Sequence, residues 1–144
     1  LYRELATYPV KGAYVFLDAC FSGGYKSAAP LLAQKGVRVV PKVGLPQGKT
    51  LSFSSSSGDQ TSSVYHDKKQ GYYTYFLIKT IKDARGDLSM KDLFERTSAA
   101  VKKATAMIGK MQEPQCMVSP TWFGWESLRL ETPVEPAPVA PQGE

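Results

Sequence analysis

The run Ala13-Tyr14-Val15-Phe16-Leu17 is continuously apolar, the pattern of a strand buried on both faces of a parallel sheet. It empties into a polar, glycine-bearing turn, Asp18-Ala19-Cys20-Phe21-Ser22-Gly23-Gly24. Ahead of it, Leu1 to Tyr8 reads as the closing turns of a helix that Pro9 ends. After it, a short helix is predicted around Ser27 to Gln34. Val37 to Lys49 holds two prolines and two glycines and reads as an ordered loop or a processing-prone linker. Thr50 to Ser54 is a second strand, opening into the loop Ser55-Ser56-Ser57-Gly58-Asp59-Gln60. Beyond Gly71, the positions Tyr73, Phe76, Leu77, Thr80 and Ile81 share one face at helical spacing. A further helix starts near Ser89, where Ser89 and Asp92 form a capping-box-like pair. Its apolar stripe is Met90, Leu93, Phe94, Val101, Ala104 and Ile108, with Gly109 as the stop. Val118 to Leu130 is expected to hold a last strand, with Trp122, Phe123 and Trp125.

The order strand, helix, strand, helix, helix, strand argues for an α/β layered domain around a mostly parallel sheet. That domain is expected to occupy residues 1–131, and 132–144, with four prolines, to be an extended linker or disordered end. No internal repeat is visible. In such sheets ligands sit at the carboxyl ends of the strands, which is where Cys20 falls.

Composition narrows the classes. The chain has 144 residues, 42% of them apolar and 22% charged, so a packed core is expected and disorder is not. Its apolar runs are too short to span a bilayer, and Leu1-Tyr2-Arg3-Glu4-Leu5 lacks the basic-then-apolar order of a signal peptide. A net charge of +5 comes from dispersed basic residues, whereas a nucleic-acid surface clusters them on one face among aromatics. Two cysteines, Cys20 and Cys116, make neither a disulfide framework nor a metal site. They permit a reducing compartment, and an intracellular location is the favoured expectation. Cys116 leads into apolar sequence and is expected to be buried and unreactive.

A strand that delivers a cysteine into a Ser-Gly-Gly turn fixes the sulfur, and the glycines let a substrate backbone approach. The amide of Cys20 itself can point at a developing oxyanion. The plain alternative is a buried, inert cysteine. A phosphatase-type loop would need an arginine six residues after the nucleophile, and that position is Lys26. A papain-like order would need a histidine roughly 130–150 residues downstream; His66, the single histidine, follows by 46. Small peptidoglycan hydrolases have a gap near that size but place the cysteine at a helix start. His66 is therefore read as a loop residue.

Phe16-Leu17-Asp18-Ala19-Cys20-Phe21-Ser22-Gly23-Gly24 resembles the active-site strand of the caspase-like cysteine peptidase superfamily, especially metacaspases and their bacterial relatives. Three later stretches agree in order. Ser57-Gly58-Asp59-Gln60-Thr61-Ser62 resembles the metacaspase loop after the next strand. Gly71-Tyr72-Tyr73-Thr74-Tyr75-Phe76-Leu77 resembles the family's glycine-aromatic-threonine helix start. Gln112-Glu113-Pro114-Gln115 resembles the step before the last strand. The likeness extends over residues 10–130.

The resemblance implies a three-layer α/β/α caspase-like sandwich, incomplete in this chain, and a cysteine endopeptidase acting through a thioester. Cys20 would be the nucleophile and its amide an oxyanion donor. The family's histidine lies about 50 residues before the cysteine, and only 19 residues precede Cys20. The expected partners are therefore a peptide or protein substrate and the N-terminal half of the same peptidase domain, carrying the catalytic histidine. Metacaspases cut after Arg or Lys, using an acidic residue two before the cysteine, here Asp18, with Asp59 as a second acidic wall. Ser54, Ser55 and Ser56 would lend backbone groups to an extended peptide. No cofactor or metal is implied, and calcium activation is not readable. The other class of function is a caspase-like interaction or scaffold domain that has lost catalysis.

Overall fold

A computed structural model describes residues 1–18, 45–57, 60 and 62–130. Helix α1 spans Tyr2–Ala6, followed by strand β1, Ala13–Leu17, and strand β2, Thr50–Ser54. A small hairpin follows, β3 (Val64–Tyr65) and β4 (Gln70–Gly71), with a 3-10 turn at His66–Lys68 between them. Helices α2, Tyr72–Asp83, and α3, Met90–Ala106, come next. Strand β5, Gln115–Val118, and a 3-10 turn at Trp125–Ser127 complete the described elements.

The main described sheet has the order β1-β2-β5. β1 and β2 are parallel, from Ala13 opposite Thr50 to Leu17 opposite Ser54. β2 and β5 are antiparallel, from Leu51 opposite Val118 to Ser54 opposite Gln115. Over the described strands the sheet is mixed, with one parallel and one antiparallel pair. β2 lies at its centre and every residue of it is buried. Side chains alternate between faces along a strand. Leu51 and Phe53 enter the core with Tyr73, Leu88, Met90, Leu93 and Val101, the face that α2 and α3 cover. On the opposite face the Tyr2 hydroxyl of α1 donates to the Ser52 Oγ at 2.7 Å. Helices thus pack on both faces of the described sheet, an α/β/α layering.

Four expectations are corrected. β1 is not buried on both faces: Tyr14 and Phe16 are 37% and 36% exposed. They stand at the edge of the described sheet, where Tyr14 reaches Trp122 at 6.3 Å between ring centroids and Phe16 reaches Phe53 at 5.5 Å. The last strand is Gln115–Val118, earlier and shorter than Val118 to Leu130. The chain turns at once beyond it, where the Trp122 N–H donates to the Ser119 carbonyl and Gly124 adopts a positive φ of 78°. Ile108 leaves the stripe because α3 ends at Ala106 and the chain reverses at Gly109, φ 69°. Thr97 and Thr105 are buried on α3 instead, and the Thr105 hydroxyl donates to the Val101 carbonyl at 2.9 Å. Cys116 is half-buried within β5 rather than fully buried. The hairpin β3–β4 was not predicted. The predicted helix at 27–34, most of the linker at 37–49 and the tail at 132–144 lie outside the described residues.

The capping expectation holds. Ser89 is the N-cap of α3, and its Oγ accepts the Asp92 N–H at 3.1 Å.

Candidate active site

Parallel pairing brings the carboxyl ends of β1 and β2 to one edge, and the Ser55 N–H continues it by donating to the Leu17 carbonyl at 2.8 Å. Asp18 is the next residue. Helix α2 begins at this edge with Gly71 as its N-cap, which has no side chain to satisfy the free N–H groups of the first turn. Asp18 supplies that acceptor from 53 residues earlier in the chain. Its Oδ2 receives the Thr74 N–H at 3.2 Å and the Thr74 hydroxyl at 2.5 Å. The carboxylate also meets the positive end of the helix dipole. A helix N-cap of this kind is worth about 1 kcal/mol. Gly71 leaves the space: a Cβ there would lie 3.0 Å from Asp18 Cγ and closer still to Oδ2. Among the described residues, only Thr74 bonds the Asp18 carboxylate.

The loop after β2 is held from β5's side of the sheet. Gln112, 1% exposed, donates from Nε2 to the Ser55 carbonyl and accepts the Ser63 N–H on Oε1, both at 2.9 Å. Gln60 Oε1 accepts the Glu113 N–H at 2.7 Å. The Ser63 carbonyl in turn accepts the Tyr72 N–H of α2 at 3.0 Å. Ser54, Ser55 and Ser56 are all buried. The Ser55 hydroxyl pairs with that of Ser62, Ser56 Oγ donates to the Gln60 carbonyl at 3.3 Å, and Ser54 Oγ donates to the Ser56 carbonyl at 3.5 Å. Both backbone groups of Ser55 are thus engaged within the chain, its N–H by Leu17 and its carbonyl by Gln112.

Two groups behind this edge, one buried and one half-buried, stay neutral at pH 7. Tyr73 is 2% exposed and its phenol has no hydrogen-bond partner among the described residues; burial, then the Asp18 carboxylate, then Cys116 push its pKa far up. The Cys116 thiol is pushed up to about 11, first by burial and then by the Glu126 carboxylate. A thiol so raised is a poor nucleophile at neutral pH. His66 sits exposed at the start of the 3-10 turn between β3 and β4, as the loop reading expected.

Of the sequence candidates, Asp18, Ser54, Ser55 and Ser56 gather at the carboxyl edge, while Cys20 and Asp59 lie outside the described residues. Thr74 and Gln112 were missed as site residues. Both belong to stretches quoted for their resemblance, and the burial that obliges Gln112 to find specific partners is visible only in the structure. Among the described residues no group of three or more His, Cys, Asp or Glu is arranged to hold a metal ion. Nor is any described helix long and apolar enough to cross a membrane.

A protein-family model described as the caspase domain matches residues 2–121. No curated protein matches the chain.

Proposed function

The chain belongs to the caspase domain family, and from that premise we propose that it is the nucleophile-bearing part of a cysteine endopeptidase that cleaves after Arg or Lys. One observation carries the reading. Four stretches far apart in sequence, around Asp18, Ser55 to Ser63, Gly71 to Thr74 and Gln112 to Glu113, are tied to one another by hydrogen bonds at the carboxyl edge of the sheet. That edge is where an α/β sheet takes its ligand.

In this mechanism Cys20, two residues beyond Asp18, loses its proton to a histidine supplied by the N-terminal half of the same domain. The thiolate attacks the scissile carbonyl and forms a thioester, and the leaving amine takes the proton. The Cys20 amide faces the oxyanion. Water then attacks the thioester and releases the acid, returning the thiol.

Asp18 forms the acidic wall that receives the basic side chain before the scissile bond, with Asp59 as the second wall. Among the described residues Thr74 takes Oδ2 alone, and Oδ1 would meet the guanidinium or ammonium, a contact worth about 1.5–3 kcal/mol. Ser54, Ser55 and Ser56 enter as the buried shelf that fixes the loop. A peptide strand addresses only the backbone groups there that Leu17 and Gln112 leave unused.

The test is a fluorogenic peptide library varying only the residue before the scissile bond, run on the assembled peptidase and on Cys20→Ala. Turnover confined to Arg and Lys substrates and lost in Cys20→Ala is the expected result. A preference for Asp would overturn the specificity. Wild-type protein that turns over nothing while still binding a protein partner would favour a scaffold.

A further inference from the structure

We infer that Gln112 is a positioning residue for peptide recognition, locking the two stems of the loop after β2 to each other beside Asp18. The inference rests on the reading of that loop as peptide-facing.

A buried carboxamide carries donors and acceptors that burial penalises unless each finds a partner, whereas a methionine would fill the same volume without that demand. Gln112 is buried, and both ends of its amide are spent on one loop. Its partners, the Ser55 carbonyl and the Ser63 N–H, are the two places where the loop leaves and rejoins the framework.

Each stem is also fixed to the Asp18 side. The Ser55 N–H bonds the carbonyl of Leu17, the neighbour of Asp18. The Ser63 carbonyl accepts from Tyr72, in the same first turn of α2 whose Thr74 grips Asp18. The bonds therefore close a ring: Leu17-Asp18, Thr74 back to Tyr72, Ser63, Gln112, Ser55 and Leu17 again. Gln112 is the one member held outside the strand ends and the helix start. It enters from the turn before β5, where the Glu113 N–H adds a second tie, to Gln60. Removing the amide opens the ring at its far side. Each stem then keeps its bond to the Asp18 side but loses its tie to the other stem, while the fold keeps the apolar core of β2, α2 and α3.

The experiment compares two rates of thiol modification at Cys20 in the assembled peptidase. One reagent is a peptidyl chloromethyl ketone ending in the residue the library selects, which must use the loop. The other is iodoacetamide, which reports thiol access and ionisation. The readout is the ratio of the two rates in wild type, Gln112→Met and Gln60→Ala, with thermal unfolding measured in parallel. Two neutral hydrogen bonds are lost in Gln112→Met, so its ratio is expected to fall roughly tenfold. Gln60→Ala loses one and is expected to fall by about threefold.

A lowered melting temperature with an unchanged ratio in Gln112→Met would overturn the inference, because Gln112 would then serve stability alone. If Gln112→Met does not fold, Gln60→Ala decides: a lowered ratio supports the inference and an unchanged one overturns it. A wild-type protein that shows no preference for the peptidyl reagent sinks the peptidase reading and this inference with it. A wild-type preference that survives both substitutions sinks the inference alone.

Discussion

β1 and β2 run side by side in register, yet hydropathy assigns their burial the wrong way round. The wholly apolar β1, Ala13-Tyr14-Val15-Phe16-Leu17, alternates between half-buried and exposed residues. The mixed β2, Thr50-Leu51-Ser52-Phe53-Ser54, is buried throughout. Place in the sheet explains it. β2 is flanked by β1 and β5, covered by α2 and α3 on the Leu51–Phe53 face and approached by α1 on the Ser52 face. β1 has one partner strand among the described residues. The central strand can be polar because its hydroxyls find partners, as Ser52 does in Tyr2 and Ser54 in the Ser56 carbonyl. The lesson concerns function. The strand that leads towards Cys20 keeps some of its apolar side chains partly exposed, and its neighbour supplies the rigid floor beside it.

The comparison breaks most sharply at the two cysteines. Replacing Cys20, beyond the end of β1, by alanine should lower peptide turnover about ten-thousandfold or more. Cys116→Ala, in β5, should leave turnover within about twofold, as expected of a neutral, half-buried thiol. Comparable losses in the two variants would refute the assignment of the nucleophile.

Next come the two phenylalanines that touch across the strands. Phe53→Ala should cost about 3–5 kcal/mol in denaturant unfolding, the range for a fully buried aromatic. Phe16→Ala should cost less, about 1–2 kcal/mol, since 36% of the residue already meets solvent. Equal costs in the assembled peptidase would mean that the proposed N-terminal half covers the Phe16 side chain, which sharpens the contrast into a docking result.

The third test separates the two tasks given to Asp18. Asp18→Asn should reduce turnover of Arg and Lys substrates roughly tenfold to a hundredfold. Thr74→Val keeps the backbone donor and loses the hydroxyl. It should reduce turnover only a few-fold and lower stability by about 0.5–1 kcal/mol. Unchanged turnover in Asp18→Asn, together with a lowered melting temperature, would leave Asp18 as a helix cap alone.

The smallest effect concerns Cys116 and pH. Its thiol is held up to about 11 by burial, above an ordinary value of 9.0. The folded protein therefore keeps a proton that the unfolded chain gives up between those values. The contribution to stability is fully present below pH 9 and is lost as pH rises towards 11. Alkylation of Cys116, mapped by mass spectrometry, should accelerate about tenfold per pH unit up to that range. A plateau near pH 8 would show a thiol far less desolvated than its place beside Phe53 in the sheet requires.

Local pattern by itself determined the elements whose cause is local. β1 and β2 follow from short apolar or β-prone runs bounded by breakers. The faces of α2 and α3 follow from helical spacing, and the start of α3 follows from the Ser89–Asp92 pair. The place of Asp18 at the end of β1 was legible too, because the apolar run stops there. Tertiary structure decided what depends on partners distant in sequence. It set which strand is central, and that Trp122 turns back over Tyr14 instead of extending a last strand. It set that Gly71 is small because a carboxylate 53 residues earlier occupies its Cβ position. It also set that Gln112 bridges Ser55 and Ser63. A hydrogen bond between residues dozens of positions apart leaves no periodicity in the chain, so its partners become visible only when the sheet and helices have brought them within 3 Å of each other.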